Sequence, residues 1–236
     1  MEVDKFSEIE ETISFYTRND FAIINCLLAD DMDDLWNSAR VAYNDNKAIL
    51  KEFEEGVREI TSSYDRKWIH ILQGRLIEKL DDELDDEAKE KIIKNAKNDI
   101  SNIFSAMSPA GEALKLYRTA WVTNSIETDH VYPYAHQHQS LLLETGTVTE
   151  IKIISSTSLT PYREDDEIAC DYYRYEILVP KNGLVLKLDQ FECHNEEGEV
   201  LLPPMKCKVN NIHPSGKTRC RGIIELEYIE RLPINI

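Results

Sequence analysis

The sequence predicts an α+β fold: a helical region over residues 1–107, then a strand-rich core over 108–236, expected to form one compact unit. Three observations predict it. Apolar residues recur at 3–4 spacing as far as Phe104, the period of amphipathic helices. The run Ser108-Pro109-Ala110-Gly111 breaks that period. Beyond it the period shortens to that of strands, and the two kinds of segment are segregated instead of alternating.

Each element follows from local pattern. Asn19 or Asp20 can cap a helix through Phe21, Ile24, Leu27 and Leu28. A second helix is expected over Asp33 to Ser62, with Leu35, Val41, Ile49, Phe53, Val57 and Ile60 as its apolar positions. A third covers Asp65 to Leu84, and a fourth Asp86 to Phe104 through Ile92, Ile93, Ile100 and Ile103. Charged residues fill the opposite faces, as they do on packed helices. Strands are expected at 114–119, 148–155, 174–179, 184–188, 199–202, 206–209 and 222–229. Pro180-Lys181-Asn182-Gly183 lies between two of them and suits a hairpin turn. Neither GxGxxG nor GxxxxGK[ST] occurs, so there is no dinucleotide or P-loop fingerprint.

Composition narrows the function classes. At 236 residues, 42% hydrophobic and 30% charged, the chain can bury one real core. A net charge of −17 excludes nonspecific nucleic-acid binding, which needs a basic surface to displace counterions. The acidity reads as a solvated helical surface, with partner binding by the acidic helical half as the second reading. Cys26, Cys170, Cys193, Cys207 and Cys220 form an odd set without CxxC, which argues against a disulfide framework or a closed zinc site. Reduced thiols predict action in a reducing cytosol. The start MEVDKFSEIEE lacks the apolar core of a signal peptide, and no stretch reaches membrane-helix length. Any delivery into another cell would need dedicated machinery. No metal is expected: His136 and His138 form an HxH pair, near His130, that supplies too few ligands.

Three short signals stand in the strand-rich half. Leu114-Lys115-Leu116-Tyr117-Arg118-Thr119 alternates and carries an Arg, whose fork can hold a phosphate. Ile151 to Ile154 run into Ser155-Ser156-Thr157-Ser158, where Ser156 and Ser158 share one face of an extended chain. Glu197 and Glu199 flank Gly198 before Val200-Leu201-Leu202-Pro203, so two carboxylates are expected to point the same way. Paired carboxylates on one cleft are what glycosyl transfer uses.

In this order the three segments resemble the mono-ADP-ribosyltransferase family, in its clade marked by Arg, Ser-Thr-Ser and Glu-x-Glu. The segment YTRNDFAIINCLL also looks like the helix that binary actin-modifying toxins carry ahead of their catalytic core. The resemblance implies a split, mainly antiparallel β-core with NAD in the cleft. It implies that Arg118 anchors the NAD pyrophosphate, with Thr119, Ser156, Thr157 and Ser158 also on the NAD side. Ser156 would orient Glu199, and Glu199 would hold the ribose and stabilise its oxocarbenium-like state. Glu197 would position a protein acceptor, and Glu at that position goes with arginine. Thr119 departs from the Gly or basic residue that many relatives carry there. One of Tyr162, Tyr172, Tyr173 and Tyr175 can stack on nicotinamide, and His194 can touch the acceptor, although plain core or loop roles suit all five. Two further readings stand: an NAD glycohydrolase, and a protein-interaction module on a degenerate scaffold.

Overall fold

A computed structural model describes residues 2–15, 21–29, 86–122, 143–161, 171–191 and 198–234. The helices expected over 33–62 and 65–84 lie outside the described residues. The chain divides into two compact units, Met1–Asn102 with His130–Pro133, and Ile103–Asp129 with Tyr134–Ile236.

In the first unit, α1 (Glu2–Phe15) lies inside the region expected to be helical, although the apolar spacing marked no separate helix there. Its charge density obscures an apolar row at Phe6, Ile9 and Ile13, of which Ile13 is fully buried. α2 (Phe21–Ala29) forms where its apolar spacing predicts, with Ile24 and Asn25 buried. Its proposed caps, Asn19 and Asp20, lie outside the described residues. α3 (Asp86–Ala106) buries Ala96 and Ile100 and exposes Lys94, Lys97 and Asn98. Asn102 Nδ2 donates to the buried Thr12 Oγ1 at 3.1 Å, which gives that hydroxyl its partner. No described helix is long and apolar enough to cross a membrane.

Among the described residues the second unit holds nine strands: β1 (Ser108–Pro109), β2 (Leu114–Val122), β3 (Val148–Ile151), β4 (Ser155–Ser158), β5 (Asp171–Val179), β6 (Leu184–Lys187), β7 (Glu199–Leu202), β8 (Met205–His213) and β9 (Cys220–Arg231). Their order in the sheet is β1-β6-β7-β4-β2-β5-β9-β8-β3. The sheet is mixed and not purely antiparallel, because β5 and β9 pair in parallel. A parallel pair needs a long crossover, and here β6, β7 and β8 supply it.

Two parts of this sheet meet at a thin seam. β2 and β5 pair along their whole length, from Leu114↔Val179 to Val122↔Asp171. β2 and β4 share a single registered pair, Tyr117↔Ser158. The candidate residues gather along this seam.

Two expectations need correction. The strand expected at 148–155 is two strands: β3 pairs with β8 at one edge, whereas β4 lies between β7 and β2. Ile153 and Ile154 are both buried, so strand alternation fails there and the chain crosses from the edge of the sheet to its middle. The turn 180–183 does not make a hairpin. β5 and β6 are not neighbours, although Gly183 N–H does close the turn on Pro180 O at 2.9 Å. The turn also pairs outward: Ala110 N–H donates to Gly183 O at 2.8 Å, and Asn182 N–H to Ala110 O at 2.9 Å. These bonds lead β6 away to lie between β1 and β7. Gly183 itself is required by space, since a Cβ there would lie 2.5 Å from Val179 Cγ1.

Along β2, β5 and β9 one face is core: Leu114 and Leu116, Tyr175, Ile177 and Val179, Ile224 and Leu226. The other face carries Lys115 and Arg174, which grip Glu176 at 2.7 and 2.9 Å. Burial alone would raise the Glu176 carboxyl, but Lys115 and Arg174 together hold it below the usual carboxylate range. Its depressed pKa means that the stabilisation is present above the unfolded carboxylate range and is lost as pH falls through the folded value. The carboxylate of Glu176 raises Lys115, partly offset by burial, and that share is lost only as pH rises past the lysine range. Glu176→Gln is expected to lower stability by about 1–2 kcal/mol at neutral pH, since Lys115 is largely exposed and screened. Urea titrations of wild type and variant should converge as pH drops below about 5. A gap that persists undiminished in acid would show that packing, not charge, is responsible.

Candidate active site

Strand alternation sorts the candidates. On β2, Arg118 lies on the same side as Leu114 and Leu116, and its register partner is Tyr175 of β5. Arg118, Tyr175, Ile151, Ile153 and Leu226 help line a pocket. Thr119 is on the opposite side of β2, in register with Arg174. From the end of the core face the Arg118 guanidinium crosses the seam, and Nη1 donates to Ser156 O at 3.1 Å.

On β4, Ser155 and Thr157 are buried, and Ser156 and Ser158 lie on the other face, as alternation requires. The Thr157 hydroxyl donates to Val200 O at 2.6 Å and so fastens β4 to β7. That bond directs it to strand pairing, away from the face that carries Ser156. The Ser158 hydroxyl accepts the Thr160 N–H at 3.2 Å and closes the turn that follows β4.

β7 supplies the carboxylate. Glu199 is in register with Ser158, and the Ser156 hydroxyl donates to Glu199 Oε1 at 2.5 Å. An O–H on a carboxylate is a charge-assisted bond, which is both short and strong. Behind Glu199, Val200, Leu201 and Leu202 are fully buried, so a half-exposed acid rides on a strand locked into the core. Ser156 thus serves two partners, with its carbonyl toward Arg118 and its hydroxyl toward Glu199. These contacts span 38 and 43 residues of sequence. A cationic fork and a carboxylate on either side of one serine suit a ligand with an anionic group at one end and a developing cation at the other.

Glu197 lies outside the described residues, as do His130, His136, His138, Tyr162 and His194. β7 begins at Glu199, and Gly198 has a φ of 86°, which is not extended backbone. The alternation used to align Glu197 with Glu199 therefore does not reach back past Gly198. Among the tyrosines, Tyr172 is buried, its hydroxyl pushed up by burial and by Cys220, and Tyr173 is half-buried. Tyr175 is the one set beside Arg118, a relation created by the β2/β5 register and carried by no local motif. The described thiols Cys207 and Cys220 are buried, and burial pushes Cys207 up to about 12, so it is no nucleophile at neutral pH.

Compared by sequence, the chain matches no family model and no curated protein. Compared by structure, it has the fold of the bacterial ADP-ribosyltransferase toxins. It is similar to the SpvB ATR domain of Salmonella, at a TM-score of 0.53 and 15% identity over 94% of this chain and 99% of that one. The catalytic domain of VahC from Aeromonas hydrophila follows at 0.50 and 17% identity, over 94% of this chain and 98% of that one. Plx2a, an ADP-ribosyltransferase toxin from Paenibacillus larvae, is also similar, at 0.44 and 16% identity over 83% and 96%.

Proposed function

We propose that the chain is a mono-ADP-ribosyltransferase that cleaves NAD and transfers ADP-ribose to a protein, on arginine. The observation that carries this reading is the convergence of Arg118, Ser156 and Glu199 at the seam, with Ser156 bonded to both of the others. Arg118 matches the charge and planar fork that a pyrophosphate needs. Tyr175, beside it, offers an aromatic wall. Thr119 and Ser158 contribute on the NAD side through backbone and hydroxyl groups, and Thr157 holds β4 in place beneath them.

The chemistry then follows from charge. The bond between nicotinamide nitrogen and ribose C1′ breaks, and its electron pair returns to the ring, which leaves as neutral nicotinamide. Positive charge develops on the ribose, and the Glu199 carboxylate, held by Ser156, stabilises it. An acceptor guanidinium nitrogen attacks C1′, and its proton passes to a carboxylate, the role proposed for Glu197 on sequence alone. A carboxylate beside a cationic acceptor also favours arginine. Buried, reduced Cys207 and Cys220 suit a cytosolic site of action. The acidic helical half has no part in this proposal, since residues 30–85 lie outside the described chain.

The test measures nicotinamide release from NAD with and without cell lysate, alongside biotin-NAD labelling of protein. Release with labelled arginine supports the proposal, and release without label makes the chain a glycohydrolase. No release at all makes it an interaction module. Glu197→Gln should lose labelling yet keep much of the slow hydrolysis, because water needs less positioning than a guanidinium. If that variant labels arginine normally, arginine as acceptor must be abandoned.

A further inference from the structure

Gly198 is the last residue before β7 and the chain neighbour of Glu199. Its φ of 86° falls in the left-handed region, which L side chains rarely adopt. Its carbonyl accepts the Leu159 N–H at 2.8 Å, and Leu159 directly follows Ser158, the register partner of Glu199. Gly198 is thus tied to the exit of β4 at the level where Glu199 enters β7. Space does not select glycine here. A Cβ on Gly198 would meet Leu159 Cβ at 3.5 Å, an ordinary contact. The backbone angle selects it. The Gly198 N–Cα bond joins the incoming chain to the Gly198 carbonyl and Glu199, so a residue that relaxes to negative φ swings one against the other and strains the bond to Leu159 beside the root of the Glu199 side chain.

We propose that Gly198 is a positioning residue for Glu199: its left-handed backbone, locked to Leu159, sets where the carboxylate stands against the Ser156 hydroxyl. The inference rests on the reading of the site as an NAD-cleaving centre. Glu199 acts at the ribose, whereas Arg118 holds the far end of the substrate from a different strand. A misplaced Glu199 therefore slows the chemical step and leaves NAD binding almost intact.

The experiment compares wild type, Gly198→Ala and Gly198→Asn by steady-state nicotinamide release and by amide hydrogen exchange at Leu159. Asparagine tolerates left-handed backbone and alanine does not. Gly198→Ala is expected to lower kcat about tenfold with KM for NAD within about twofold. Gly198→Asn should recover kcat to within about threefold of wild type. The Leu159 amide should stay protected in wild type and Gly198→Asn and exchange quickly in Gly198→Ala. Wild-type kcat in Gly198→Ala, a loss confined to KM, or an Asn variant as slow as the Ala variant would each overturn the inference. Should Gly198→Ala fail to fold, Gly198→Asn decides alone: it must keep both its rate and its Leu159 protection. A wild-type protein that releases no nicotinamide overturns the reading of the site and this inference with it. A wild type that releases it beside an equally active Gly198→Ala overturns the inference alone.

Discussion

Glu199→Gln is expected to leave a folded protein that releases nicotinamide more slowly by a factor on the order of 10²–10³. The substitution keeps the shape of the side chain, and its amide oxygen can still accept the Ser156 hydroxyl. β7 stays anchored by Val200, Leu201 and Leu202, all fully buried, so the strand has no reason to move. Only the negative charge is lost, at the place where the proposed reaction turns the ribose positive. A fixed charge that already stands in position needs no reorganisation during the reaction, which makes its removal so costly. Because every acceptor depends on the same C1′ cation, hydrolysis and protein labelling should fall together. The check is single-turnover nicotinamide release, with circular dichroism confirming the fold. Near wild-type turnover in folded Glu199→Gln would remove Glu199 from the mechanism.

Arg118→Ala is expected to raise KM for NAD by about 10–100-fold, the worth of a bidentate charge-assisted contact to phosphate. Arg118→Lys should rescue only part of this, since an ammonium is a point charge without a planar fork. The structure adds a second effect. Arg118 Nη1 also bonds Ser156 O across a seam where β2 and β4 share only one registered pair. Removing it is expected to loosen β4 as well as the proposed phosphate contact, so kcat should fall modestly too. Calorimetry with NAD on the wild type and both variants is the direct measurement. Unchanged affinity in Arg118→Ala would mean that the guanidinium serves the seam and not the substrate.

Arg118, Ser156 and Glu199 stood out in the sequence as candidates because three short segments, in order, resemble a family signature, and the structure brings the three residues together. The segregation of helix and strand was readable from the change of apolar period. Pairing partners were not. Nothing local in Ile151–Ser158 tells that β3 goes to the edge and β4 to the middle, because two successive buried residues, Ile153 and Ile154, look like a continued strand. Nothing in Pro180–Gly183 tells that the turn bonds Ala110 and sends β6 across the sheet. Both are tertiary choices made by distant contacts, which a local pattern cannot encode. Gly198 is the opposite case: the residue is visible, but its positive φ appears only once β7 is seen to begin at Glu199.

The position of β9 between β5 and β8 has a consequence for how the protein is made. A ribosome releases β5 long before β9, so β5 waits with a bare edge while some forty residues are added, a long closure for a parallel pair. During that wait the edge can recruit strands from other chains. Among the described residues the β3–β8 pair likewise is joined in the strand order to the rest of the sheet through β9. Synthesis that pauses before Cys220 would therefore leave a sticky, half-built sheet, and the arrival of β9 is what makes the nascent chain safe.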